Sequence, residues 1–266
     1  KYQNDELITP GLAPHAPNTV TKEELLEIKR VSEKYNAPVS MHVAETDKEF
    51  EKFQKEFNMT PVEYLDSLGL LNERFISAHN IFVTDNDIEI LKKRDVGIAH
   101  NMVANVKSAK GISPALKMHD KGLRVGLGTD GPMSGNTLDI IGQLGYVAKI
   151  HKLNSKDRSA LPPKKAVEMA TIGGARAIHR ENDLGSLENG KLADIVIVET
   201  KSVNMNPIYD PYSALVYSAN ASNVDTVIVN GKVIVEDKEI KTVDYKKIIN
   251  DITEFKKKVE EVAKTL

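Results

Sequence analysis

The chain has 266 residues, 41% of them apolar, with a net charge of −2 and no cysteine. That length holds one large domain or one and a half ordinary ones, and the balanced charge gives nucleic acid or an anionic membrane no electrostatic footing as a partner. Without cysteine there are no disulfides and no thiolate metal sites, which fits a cytoplasmic protein, and no apolar run approaches the roughly 18 residues of a membrane span.

The first residue is Lys1, and "KYQNDELITPGLAPH" runs straight into a strand-like segment. The chain is therefore expected to begin partway through a longer protein. The segment 6–15 reads as a strand ending at His15. A helix follows over 21–36, opened by a capping box of Thr21 and Glu24. "PVSMHVAE" (38–45) alternates like a strand, and "DKEFEKFQKEFN" and "TPVEYLDSLG" read as helices, the second stopped by Gly69. Strands are expected at 74–79, 96–101 and 123–130, with a helix over 84–95, a loop to Gly111 and a helix over 113–121. A long helix is placed at about 137–151 and another at 164–178, after the Pro162-Pro163 break. The pattern then changes: 192–199 and 224–237 read as strands, with Asn230-Gly231 as a two-residue hairpin turn. An amphipathic helix from 244 to about 264 closes the chain.

Alternating strands and helices predict an α/β fold with a parallel sheet. Five successive strands end in ionisable residues: His15, His42, His79, His100 and Asp130. In a (β/α)8 barrel such ends converge on the face that carries active sites, whereas a doubly wound sheet gathers its ligands at one switch point. Burying unpaired ionisable groups costs several kcal/mol each, so the repetition favours the barrel. About three of its eight strands are then missing from this chain.

"VSMHVAET" (39–46) poses the functional question: either His42 and Glu45 are a satisfied piece of polar core, or they sit at a barrel mouth and do chemistry. His42 and Asp130 are imidazole and carboxylate, donors suited to a divalent metal. Asp130 lies in "GLGTDGP", where small residues leave room for an ion and a substrate; the alternative is a turn or cap aspartate. Glu45 suits proton transfer, or else is a charge near the start of the next helix. His79 suits orienting a water or steadying charge. His15, between prolines, suits a substrate contact. His100 borders a lid loop or packs behind the site, and His119, His151 and His179 read as structural or surface residues.

"GLAPHAPNTV", "HVAET", "SAHN", "AHNMVANVKSAKGISP", "GLGTDGPMSGN" and "GSLENGKLADIVIV" together resemble the amidohydrolase superfamily, most closely the 5′-methylthioadenosine/S-adenosylhomocysteine deaminase family and its chlorohydrolase-like relatives. The resemblance runs in order along essentially the whole chain. It implies residues 1–190 as the later part of a metal-dependent hydrolase (β/α)8 barrel of TIM type, 191–240 as strands of a small β-sandwich, and 241–266 as a C-terminal helix. It implies one divalent metal, zinc first and iron second, with His42 and Asp130 as ligands. Glu45 is then the proton shuttle, His79 and Asp130 act beside it in catalysis, and His15, Glu45 and Asp130 contact the substrate.

The implied reaction is hydrolytic deamination of an adenine nucleoside (5′-methylthioadenosine, S-adenosylhomocysteine, 5′-deoxyadenosine or adenosine) with release of ammonia. Guanine, cytosine or triazine hydrolysis stays open as an alternative, as does a catalytically incomplete fragment. The departure from the family is the absence of any His-x-His, which in the family sits on the first barrel strand and supplies two more ligands. Expected partners are thus a small nucleoside, the N-terminal segment of the same protein, and identical chains in an oligomer.

Overall fold

The structure, a computed structural model, describes residue 5 and residues 7–264. Its α/β portion is built on threonine-capped helices. Thr21, Thr46, Thr60 and Thr84 each accept a hydrogen bond from the N–H three residues on, opening α1 (Lys22–Tyr35), α2 (Asp47–Phe57), α3 (Pro61–Ser67) and α4 (Asp85–Lys93). At α1, α3 and α4 the acid at that third position returns a bond to the threonine's own N–H, completing a capping box. The box at Thr21 and Glu24 is the one the sequence predicts.

Between and after these helices run β1 (Val39–Val43), β2 (Phe75–His79), β3 (Gly97–His100) and β4 (Arg124–Leu127), hydrogen-bonded in that order. All neighbours are parallel. Val39, Met41 and Val43 bury one face of β1 among the helices, where they join Leu25, Phe53, Leu65, Phe75, Ile88, Leu91, Ile98, Met118 and Val125 in one core. The opposite face carries His42, Ala78, Ala99 and Gly126 in register across the four strands.

The expected strand over 6–15 is only partly a strand. Residue 6 lies outside the described residues, and the remainder makes one parallel bridge, Leu12 to Val39. Pro10, Pro14 and Pro17 lack the N–H groups a ladder needs. His15 still touches the sheet, because its carbonyl accepts from the His42 N–H at 3.2 Å.

Beyond β3 the predicted loop holds a short helix, α5 (Met102–Lys107), with no side-chain cap to announce it. Then come α6 (Ala115–Asp120), α7 (Pro132–Gly135) and α8 (Ile140–Ser155). The helix expected over 164–178 is two, α9 (Pro163–Ala170) and α10 (Ile172–Ala177), broken where Thr171 takes φ −121° and ψ −98°.

The break lets α10 lie directly on the sheet. A β-carbon at Gly97 would stand 1.8 Å from the Ala177 carbonyl oxygen, and one at Gly126 would stand 2.7 Å from Gly174 Cα. Backbone atoms cannot move aside as a flexible side chain can. Gly97→Ala is therefore expected to cost about 3 kcal/mol or more, read as a lowered denaturation midpoint or loss of soluble protein; an unchanged midpoint would refute this packing.

A second, antiparallel sheet orders β5 (Ile195–Val198), β6 (Val224–Val229), β7 (Lys232–Glu236) and β8 (Glu239–Ile240) side by side. Asn230 and Gly231 take φ +46° and +77° at the β6–β7 turn, as the hairpin signal predicts. Between β5 and β6 the chain forms α11 (Pro211–Tyr217), which packs on α8 and α9 and buries Val216. The last helix, α12 (Tyr245–Ala263), buries none of its residues. No helix among the described residues is long and apolar enough to cross a membrane.

Candidate active site

Three of the strand ends turn sharply. Ala44 after β1, His79 at the end of β2 and Asp130 beyond β4 take φ of +50°, +72° and +59°, a region that non-glycine residues seldom occupy. Such strain gathers at functional sites, where the surrounding fold must hold it. These turns matter for where side chains go. His79 and His100 occupy ladder positions that lead to Val43 and Leu127 respectively, the row next to the one that holds His42. His79 comes round to the His42 side through its left-handed turn. His100 instead meets His151 of α8, with the two Nε2 atoms 3.1 Å apart.

One donor atom from each of His42, His79 and Asp130 lies within 4.8 Å of the others. His42 Nδ1 donates to the His15 carbonyl at 2.7 Å, and His79 Nδ1 donates to Asn105 Oδ1 at 2.7 Å. Each bond fixes a tautomer that leaves Nε2 as a lone-pair donor. His79 Nε2 is buried without a hydrogen-bond partner among the described residues, 3.5 Å from Glu45 Oε1 and 4.0 Å from Asp130 Oδ2. An orphaned imidazole nitrogen facing a carboxylate and a second imidazole is a donor set that suits a divalent cation.

Burial, above all, holds the His79 imidazolium below its usual range, so the ring is neutral as a metal or water partner requires. Burial pushes the Asp130 carboxyl up. Hydrogen bonds from Gly131 and Ser134 and the neighbouring imidazoles outweigh it, leaving Asp130 below the ordinary value and ionised.

His15, His42, Asn101 and Asp130 line a cavity of about 410 Å³, floored by Ala78 and Ala99. The small floor residues leave space for a ring. His15 stands exposed at its rim, with Nδ1 2.8 Å from Thr19 Oγ1. All of His15, His42, Glu45, His79 and Asp130 thus lie in one neighbourhood, while His119 and His179 lie elsewhere.

Three contributors were not legible from the sequence. Asn105 orients His79, Lys110 forms an ion pair with the Glu45 carboxylate, and Glu49 grips the backbone beside Glu45. Lys110 carries no local signal, since it sits 65 residues from its partner. Thr46 and Glu49 do carry the spacing of a capping box, which is a signal for a helix start alone.

The His100–His151 pair supplies a separate expectation. Burial is the chief cause that holds His100 at about 3 and His151 at about 4. The unfolded chain, with imidazoles near 6.5, binds those protons first as pH falls. Stability therefore drops from pH 6.5 downward, until the folded pair itself titrates. The buried Glu49 and Asp87 carboxyls, raised chiefly by burial, act in the opposite sense, losing stability as pH climbs through their range. The useful reading is therefore a difference: between pH 7 and pH 5, His151→Gln is expected to lose about 1–2 kcal/mol less than the wild type in urea denaturation. Equal slopes would remove the buried pair from the account.

Residues 1–234 match the amidohydrolase family. The chain is 42% identical over 241 residues to a 5′-deoxyadenosine deaminase of Methanosphaera stadtmanae, covering 91% of this chain and 56% of that protein. It is 37% identical over 250 residues to a 5-methylthioadenosine/S-adenosylhomocysteine deaminase of Thermodesulfovibrio yellowstonii, covering 94% and 57%. Among solved structures, an adenosine deaminase from Xanthomonas campestris with bound zinc superposes with a TM-score of 0.94 at 30% identity, over 98% of this chain and 59% of that one. The chain spans somewhat over half the length of the relatives it matches. A match over nearly nine tenths of its residues makes this chain a member of the amidohydrolase family.

Proposed function

We propose that this chain is the catalytic part of a metal-dependent deaminase that hydrolyses an adenine nucleoside to release ammonia. The observation that carries the reading is the meeting of His42, His79 and Asp130 within 4.8 Å, with Glu45 3.5 Å from His79. The deaminase relatives support the substrate class: 5′-deoxyadenosine, 5′-methylthioadenosine, S-adenosylhomocysteine or adenosine.

His42 Nε2 and the Asp130 carboxylate would hold the ion, zinc before iron, in keeping with the zinc-bound neighbour. When bound, the ion would supply acidity to a water molecule, bringing its pKa down toward about 7. Asp130 accepts that water's proton at its carboxylate. Neutral His79 presents its Nε2 lone pair and orients the attacking oxygen. Glu45 Oε1 gives a proton to the purine ring nitrogen, and the carboxylate so formed takes the proton of the added hydroxyl while the proton accepted by Asp130 passes to the departing amine. His15, at the rim, contacts the sugar or its 5′ substituent.

The intact enzyme, in this reading, joins this chain to a segment that supplies the first barrel strands and a His-x-His pair. Three observations support it: the relatives are longer, β1 has a single bridge on its open side among the described residues, and β6, β7 and α12 bury no residue. Closing the eight-stranded barrel places residues 1–190 in it. Residues 191–240 then form part of a β-sandwich and 241–266 a terminal helix, in a cytoplasmic oligomer of identical chains.

Ammonia release measured across adenosine, 5′-deoxyadenosine, 5′-methylthioadenosine, S-adenosylhomocysteine, guanine, cytosine and a chlorotriazine tests the reading. Turnover of an adenine nucleoside above the other three classes is expected; a preference for guanine, cytosine or the triazine would contradict it.

A further inference from the structure

We propose that Glu49 is a positioning residue for the proton carrier Glu45, diverted from the capping role its sequence position implies; this rests on the deaminase reading above. At Thr21, Thr60 and Thr84 the acid three residues on turns back to the threonine N–H, at 2.8, 2.8 and 2.7 Å. At α2 the same Thr-x-x-Glu spacing is present, and Thr46 Oγ1 accepts from the Glu49 N–H at 3.1 Å as usual. The Glu49 carboxylate, however, reaches past Thr46. Oε1 accepts from the Ala44 N–H at 2.9 Å and Oε2 from the Glu45 N–H at 2.8 Å.

Two features show what the diversion accomplishes. Glu49 is 3% exposed and forms no ion pair among the described residues, so its charge is balanced by those N–H groups and the start of α2. Ala44 is fully buried with φ +50°, a conformation that is unfavourable for a non-glycine residue. Its carbonyl accepts from the Ile81 and Phe82 N–H groups, each at 2.9 Å. Both peptide units flanking the strained residue are thus gripped, through their N–H groups by Glu49 and through the Val43 and Ala44 carbonyls by the N–H groups of Asn80, Ile81 and Phe82.

The turn so held decides where residue 45 points. It sends the Glu45 side chain to within 3.5 Å of His79 Nε2, where Lys110 meets the same oxygen. Release of the grip lets Ala44 relax toward ordinary φ values and swings Glu45 away. A misplacement of about 1 Å at a reacting group costs about 100-fold in rate.

Kinetics of Glu49→Ala and Glu49→Gln in the intact enzyme test this, beside Glu63→Ala, which removes an ordinary capping-box acid. For both Glu49 variants kcat is expected to fall about 10–100-fold, with KM and bound metal per chain unchanged. Glu63→Ala should lower Tm comparably and leave kcat within twofold. Amide hydrogen exchange at Glu45 should quicken in Glu49→Ala and not in Glu63→Ala. A kcat within twofold for the Glu49 variants overturns the proposal. A joint loss of kcat, KM and metal also overturns it, because general loosening would produce that. Should Glu49→Ala not fold, Glu49→Gln keeps the shape and one acceptor oxygen and is held to the same outcomes. Glu45→Gln separates the two readings. Activity retained there removes the proton carrier itself, whereas activity lost there and retained in Glu49→Gln removes only the positioning.

Discussion

Glu45→Gln in the intact enzyme is expected to lower kcat by about 10²–10⁴-fold while metal content and fold stay unchanged. The amide is the same size as the carboxyl and still accepts a hydrogen bond, but it cannot carry a proton between water, ring nitrogen and leaving amine. Glu45 is not among the three residues whose donor atoms cluster for the cation, so its replacement leaves that donor set whole. Its ion pair with Lys110 is partly exposed, and losing such a pair costs little stability. Steady-state rates alongside metal analysis give the check. A variant near the native rate would remove Glu45 from proton transfer; loss of metal would show that it serves as a ligand instead.

Asp130→Asn is expected to be more damaging. Losing a partner that merely orients a metal ligand costs about 10–100-fold in affinity. Asp130 is the single carboxylate of the three-donor cluster, so its neutralisation should exceed that range for the metal and take activity below the Glu45→Gln level. In the proposed mechanism the same substitution removes the acceptor for the water's proton, so adding excess zinc should restore occupancy without restoring the rate. Full rescue by zinc would mean that Asp130 binds the ion and moves no proton.

How much of this was legible in the sequence depends on which forces act locally. β1 to β4 were readable because β-branched and apolar residues recur between turn signals. The helices were readable where a threonine cap or a clear amphipathic stripe marks them, as at Thr21. α5 was missed because Asn101 makes no capping bond and six residues are too few for a period. The single predicted helix over 164–178 failed at Thr171, where the close fit of α10 to Gly97 and Gly126 sets the path. That is a tertiary demand with no local code.

The site divides the same way. His42, Glu45, His79 and Asp130 stand at strand ends, and topology gathers strand ends. His100 stands at a strand end too, yet it faces α8, because one step of register changes the face of a sheet. His79 occupies a comparable ladder position and reaches the cation site only through its backbone turn at φ +72°, which the sequence does not announce. Asn105, Lys110 and Glu49 act through contacts made only in the folded chain.

In the proposed enzyme His42 and Asp130 bind one divalent ion beside His79 and Glu45. Anomalous diffraction at the zinc edge from crystals of the zinc-loaded intact enzyme addresses it directly. One strong peak is expected about 2.0–2.2 Å from both His42 Nε2 and an Asp130 carboxylate oxygen. A peak bound by other side chains, with residues 42 and 130 out of reach of it, would contradict the account.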